Sequence, residues 1–147
     1  MTFTVMYHPD ELPAEITTVA ELDDLLDRVT ADAIEEDVPT YAEIVTADRL
    51  RILQIGLGQR DYSSLIYCNK PADILEASKG TLPMPDDAGF DYGGTWTDAP
   101  INSAIPITTA RQAARDFLSS DGHRPANLEW HEPQYGRPEP GIPGSVT

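Results

Sequence analysis

The run "PDDAGFDYGGTWTD" (85–98) places Asp86, Asp87, Asp91 and Asp98 beside Tyr92 and Trp96. Two kinds of chemistry use such a set. Two carboxylates facing each other across a cleft can act as acid and base, or acid and nucleophile, in hydrolysis of a glycosidic type. Alternatively, the aromatic rings supply contact area at low entropic cost while the surrounding acids guide a basic protein partner and hold it in register. The bland alternative is a set of solvated loop carboxylates next to edge aromatics. The residues alone leave all three open.

Other routes to catalysis find little support. Cys68, the single cysteine, falls mid-strand in "LIYCN", where a small buried thiol is the ordinary expectation. One cysteine excludes an internal disulfide and a Cys-rich zinc site. His8, His123 and His131 have no metal-ligand spacing, and "HEP" (131–133) lacks the two thiolates that a zinc-deaminase site needs. "GLGQR" (56–60) follows a strand without opening a helix and lacks a third glycine, so it is assigned no phosphate. No cofactor is expected.

Charge narrows the class further. The chain of 147 residues carries 25 Asp and Glu against 10 Lys and Arg, a net charge of −15. Between Asp10 and Asp48 there are 13 acids and one base, Arg28. Such a surface repels nucleic acid and anionic membranes and attracts basic proteins. No window approaches the roughly 18 apolar residues of a membrane span, and the cysteine usage suits a reducing cytoplasm.

The elements that must position these residues are legible in part. "FTVMYH" (3–8) alternates as a strand closed by Pro9. Thr18 and Glu21 have capping-box spacing at the head of a helix whose apolar arc is Val19, Leu22, Leu25, Leu26, Val29 and Ala33. Asp23 and Asp24 each repel Asp27 at helical spacing, with Arg28 as the one base to relieve them. Three β-rich runs follow, around Tyr41–Thr46, Leu50–Leu57 and Tyr62–Cys68, with short links that imply antiparallel hairpins. In the second, Arg51, Leu53, Ile55 and Leu57 form the face that helices must cover. "DILEASKG" (73–80) suggests another strand, and "GFDYGGTWTDAP" (89–100) an edge strand fading into a loop. A second helix is expected from Thr108 or Thr109 to about Ser120, burying Ala110, Ala113, Ala114 and Phe117, exposing Arg111, Arg115 and Asp116, and stopped by Gly122. "ANLEWHE" (126–132) alternates as a final strand. The sum is an α+β fold: one domain over 1–132, a mainly antiparallel sheet of about six strands carrying two principal helices, and a Pro/Gly-rich tail over 133–147 that does not pack.

The stretch "ARQAARDFLSSDGHRPANLEWHE" (110–132) resembles the C-terminal signature of the immunity-protein family numbered one in bacterial polymorphic toxin systems. An Ala-rich helix bearing Phe117 runs into Gly122, Arg124 and Pro125, then a strand with Trp130 and Glu132. An early strand, an acidic helix, "LRILQIGL" (50–57) and "YGGTW" (92–96) are similar in order too. Physically the signature closes a core, with Arg124 the residue most suited to an ion pair or a partner contact. The resemblance implies an intracellular antitoxin, not an enzyme, that binds one cognate toxin domain one-to-one and blocks its active site. Members are often encoded beside nucleic-acid deaminase toxins, including double-stranded-DNA cytosine deaminases. An acidic inhibitor suits the basic substrate channel of such a toxin. On this reading Asp86, Asp87, Asp91, Tyr92, Trp96 and Asp98 form the partner surface, with no direct nucleic-acid or membrane binding. A small acidic hydrolase and a general DNA-mimic or adaptor remain the alternatives.

Overall fold

The computed structural model describes residues 2–8 and 11–135. In chain order the elements are β1 (Phe3–Met6), β2 (Ala14–Ile16), α1 (Val19–Glu36), β3 (Thr40–Thr46), β4 (Arg51–Leu57), β5 (Leu65–Asn69), β6 (Ile74–Ser78), β7 (Gly89–Tyr92), β8 (Thr95–Asp98), α2 (Ile107–Ser119) and β9 (Trp130–His131). The fold is α+β, with two helices, but the sheet has nine strands among the described residues, not about six. They run in the order β2-β1-β3-β4-β5-β6-β9, with the β7–β8 hairpin joined to β3. All pairings are antiparallel except the single parallel link Thr40↔Asp91 between β3 and β7.

Both helices cover one face. Phe3, Val5, Ile44, Leu53, Ile55, Leu65 and Tyr67 from the strands meet Leu22, Leu26, Ala110, Ala114 and Phe117 in the principal core. The expected inward face of β4 is correct: Leu53, Ile55 and Leu57 are buried. Thr18 and Glu21 form the capping box, and bonds donated to the Glu21 carboxyl, first from the Thr17 N–H and hydroxyl and then from Thr18, hold it below its usual range. The acids of α1 have more relief than Arg28. Arg111 of α2 reaches Asp27 Oδ1 at 2.8 Å, and Arg115 Nε reaches Asp23 Oδ1 at 2.9 Å. These arginines, expected to be exposed, instead tie α2 to α1; Arg111 keeps 15% of its side chain exposed. The pairs span more than eighty residues, so the wheel of α1 gives no hint of them.

The expected closing role of the last segment is realised differently in detail. α2 ends through Gly122, whose N–H donates to Phe117 O and whose φ of +93° suits only glycine. The Tyr67 hydroxyl donates to Gly122 O at 2.9 Å in a buried setting. Phe117 sits edge-on to both Phe3 and Tyr67. The last strand has two residues only, and Trp130 is half-buried against Tyr67, its indole N–H donating to Pro125 O. Arg124 is ion-paired to Glu76 of β6. Replacing Tyr67 by phenylalanine strands the buried Gly122 carbonyl and is expected to cost about 1–2 kcal/mol in denaturant unfolding at unchanged slope.

The expectation that the tail from Pro133 does not pack falls mostly outside the described residues. Within them, Gln134 O accepts from Ile101 N–H. Cys68 is half-buried on the face away from the helices, not enclosed in the core as expected.

Candidate functional site

The face of the sheet opposite the helices is covered at one end. Tyr41, Tyr62, Ala88, Phe90, Ala99 and Ala104 form a second, smaller core there. It depends on a missing side chain. A Cβ on Gly56 would lie 2.3 Å from Phe90 Cζ, so glycine lets the Phe90 ring rest on the β4 backbone. Tyr41 and Tyr62 flank that ring at centroid distances of 4.6 and 5.9 Å, and burial pushes both phenols up from their ordinary pKa. Phe90 anchors the β7–β8 hairpin on this side of the sheet. Asp91 N–H donating to Pro39 O at 2.7 Å and Gln59 Nε2 donating to Gly89 O at 3.0 Å complete the attachment.

The stretch expected to be one fading edge strand is thus a full hairpin. Gly93 and Gly94, both at positive φ, make the two-residue turn between Tyr92 and Thr95. Strand alternation then sorts the expected partner residues. Asp91, Trp96 and Asp98 share the outer face with Gly89. The Trp96 indole lies over Gly89, where a Cβ would come within 3.0 Å of it, and remains 49% exposed. Asp91 Oδ2 accepts from Gly94 N–H at 3.2 Å, so this carboxylate shapes the turn as well as the surface. Asp86 and Asp87 are exposed in the loop that enters β7. Asp86 and Asp98 come together at a cleft of about 350 Å³ that also includes Met84, Ala88, Ala99 and Asn102.

Tyr92 belongs to the opposite side of the hairpin. Its hydroxyl donates to Glu43 Oε1 at 3.0 Å, and burial followed by the Glu43 charge raises its pKa. There it borders a groove of about 450 Å³ with Met6, Tyr7, His8, Glu11, Leu12 and Glu43. Tyr7 repeats the arrangement, donating to Glu11 Oε2 at 2.7 Å. Both phenols therefore stay protonated donors at neutral pH. Sequence reasoning missed this groove; the signal was available only as the alternation of "FTVMYH" against "TYAEIVT", which places Met6 beside Glu43 once β1 and β3 pair.

Of the six expected residues, Asp91, Trp96 and Asp98 therefore lie on the outer side of the hairpin, Tyr92 on its inner side, and Asp86 and Asp87 in the exposed loop that enters β7. The described residues hold no cluster of three or more metal-binding side chains, and no helix among them is long and apolar enough to cross a membrane. No curated protein matches the chain. The model of immunity protein Imm1 matches residues 10–132, which spans the acidic helix, the hairpin and the closing segment through Glu132. The chain belongs to the Imm1 family of immunity proteins.

Proposed function

We propose that this chain is an antitoxin that binds one cognate toxin domain, one-to-one, and silences it by occupying its basic substrate channel and active site. The toxin in this reading is a nucleic-acid deaminase, most readily one acting on DNA, because family members are often encoded beside such enzymes. The observation that carries the reading is the β7–β8 hairpin. It stands on the sheet with Trp96 half exposed and with Asp86, Asp87, Asp91 and Asp98 around it, on a body of net charge −15. A channel that grips phosphates is lined with Lys and Arg, and an acidic hairpin with an exposed aromatic on its outer face complements it in charge. A standard interface buries about 800 Å² per partner, and in this reading the hairpin's outer face and the loop at Asp86 form its centre. Inhibition of this kind asks no bond-making of the antitoxin, no cofactor and no direct contact with nucleic acid or membrane. It operates in the cytoplasm, where the toxin's substrate is.

The test is titration of the toxin domain encoded beside this chain's gene. Its activity on DNA is expected to fall linearly to zero at one equivalent of the purified protein. Full residual activity with both components folded overturns the reading, and so does substrate turnover by the isolated chain.

A further inference from the structure

The hairpin has one side that nothing described occupies. In β7–β8 the opposed pair Ala88/Ala99 is hydrogen-bonded, Ala99 N–H donating to Ala88 O at 3.0 Å. Antiparallel ladders alternate, so Phe90/Thr97 and Tyr92/Thr95 are the other bonded pairs, while Gly89/Asp98 and Asp91/Trp96 turn their backbone groups away from each other. On the β7 side those outward groups are used: Asp91 N–H reaches Pro39 O, and Gly89 O accepts from Gln59. On the β8 side the N–H and C=O groups of Trp96 and Asp98 point outward with no backbone partner among the described residues.

Exposed edges are normally blunted, and the other edges of this sheet are. β2 has three residues, and β6 is capped at Ala77 and Ser78 by β9, with Glu76 held by Arg124. β8 has no proline, no lysine and no interruption of register, and Thr95, Trp96 and Asp98 are exposed with Thr97 half-buried. Its guard is negative charge: Asp98 at its end, with Asp91 and Trp96 on the same face and Asp86 nearby. That charge disfavours pairing with a second copy of a chain of net charge −15 and favours a strand bearing Lys or Arg.

We propose that β8 is a docking edge onto which the partner protein adds an extended basic strand, antiparallel or parallel, extending the hairpin to three strands. Backbone bonds to Trp96 and Asp98 supply the register. Basic side chains at alternate positions of the incoming strand meet Asp91 and Asp98, beside the Trp96 ring. This inference rests on the antitoxin reading and specifies its mode of contact.

The decisive comparison is Asp98→Pro against Asp98→Ala, both assayed with the catalytically inactivated toxin domain. Each removes the carboxylate; only proline removes the outward N–H and places a ring on the edge, a position where edge strands accept proline. Asp98→Pro is expected to bind at least about tenfold more weakly than Asp98→Ala. Equal affinities overturn strand addition. Hydrogen exchange in the wild-type complex gives an answer independent of how proline is tolerated. The Trp96 and Asp98 amides are expected to slow on binding while those of Thr95 and Thr97, already paired to β7, change little; unchanged exchange at Trp96 and Asp98 overturns the proposal. Protection of these two amides without toxin, accompanied by a dimer in sedimentation, overturns the choice of partner. Failure of the wild-type chain to bind the toxin domain at all removes the antitoxin reading itself, whereas tight binding with an unprotected β8 removes strand addition alone.

Discussion

Replacing Phe90 by alanine is expected to lower the unfolding free energy by about 3–5 kcal/mol and to release the hairpin from the sheet. Its ring is fully buried, rests on the Gly56 backbone and is flanked by Tyr41 and Tyr62. Removing it opens a cavity under β7 that backbone bonds at Asp91 and Gly89 alone must bridge. Denaturant unfolding measures the first effect. The second appears as a loss of toxin inhibition exceeding the loss of folded protein, since the outer residues keep their identity but lose their mounting. Gly56→Val attacks the same contact from below, where a side chain meets Phe90 at 2.3 Å, and overpacking there is expected to cost about 1–3 kcal/mol. Because both changes act on one contact, the double variant should be less destabilised than the sum of the singles. A Phe90→Ala protein within 1 kcal/mol of wild type and fully inhibitory would show that the hairpin does not depend on this anchor.

How far the sequence revealed this arrangement depends on the range of the interactions involved. α1 was readable because its capping box and apolar arc are local, with Thr18 and Glu21 three residues apart. The β3–β4–β5 meander was readable for a similar reason, since each strand carries its own short apolar run, although the β4–β5 link occupies 58–64. β2 escaped because "AEI" is three residues wedged between Pro13 and the helix, too few to show a period; pairing with β1, not propensity, makes it a strand. The hairpin was half seen. Gly-Gly between Tyr92 and Thr95 is itself a signal for a two-residue turn, and recognising it would have placed Tyr92 and Trp96 on opposite sides. What local reasoning had no access to is the set of long-range pairings: Phe90 on Gly56, Arg111 and Arg115 on the acids of α1, Arg124 on Glu76. Gly56 is the instructive case, because its meaning lies in what approaches it from the other side of the sheet.

Reversing charge on the hairpin separates steering from grip. The triple change Asp86→Lys, Asp87→Lys and Asp98→Lys is expected to slow association with the toxin domain by about 10- to 100-fold at low ionic strength; Asp98 alone of the three is placed against the incoming strand, so dissociation is expected to quicken no more than in the single Asp98→Lys variant. Asp91 is left out because its carboxylate also accepts from Gly94 N–H, so its loss would disturb the turn and confuse the kinetics. The difference should shrink as salt rises, because exposed charges beyond about 8–10 Å are screened near physiological ionic strength. A matched control alters the net charge equally on the opposite side of the sheet: Asp24, Glu35 and Glu36 are exposed on α1. If the hairpin is the guiding surface, reversing those three slows association far less. Equal slowing by both triples would mean that the total charge of the molecule, and not the placement of acids around Trp96, brings the partner in; an unchanged association rate in the hairpin triple would remove the hairpin from the encounter altogether.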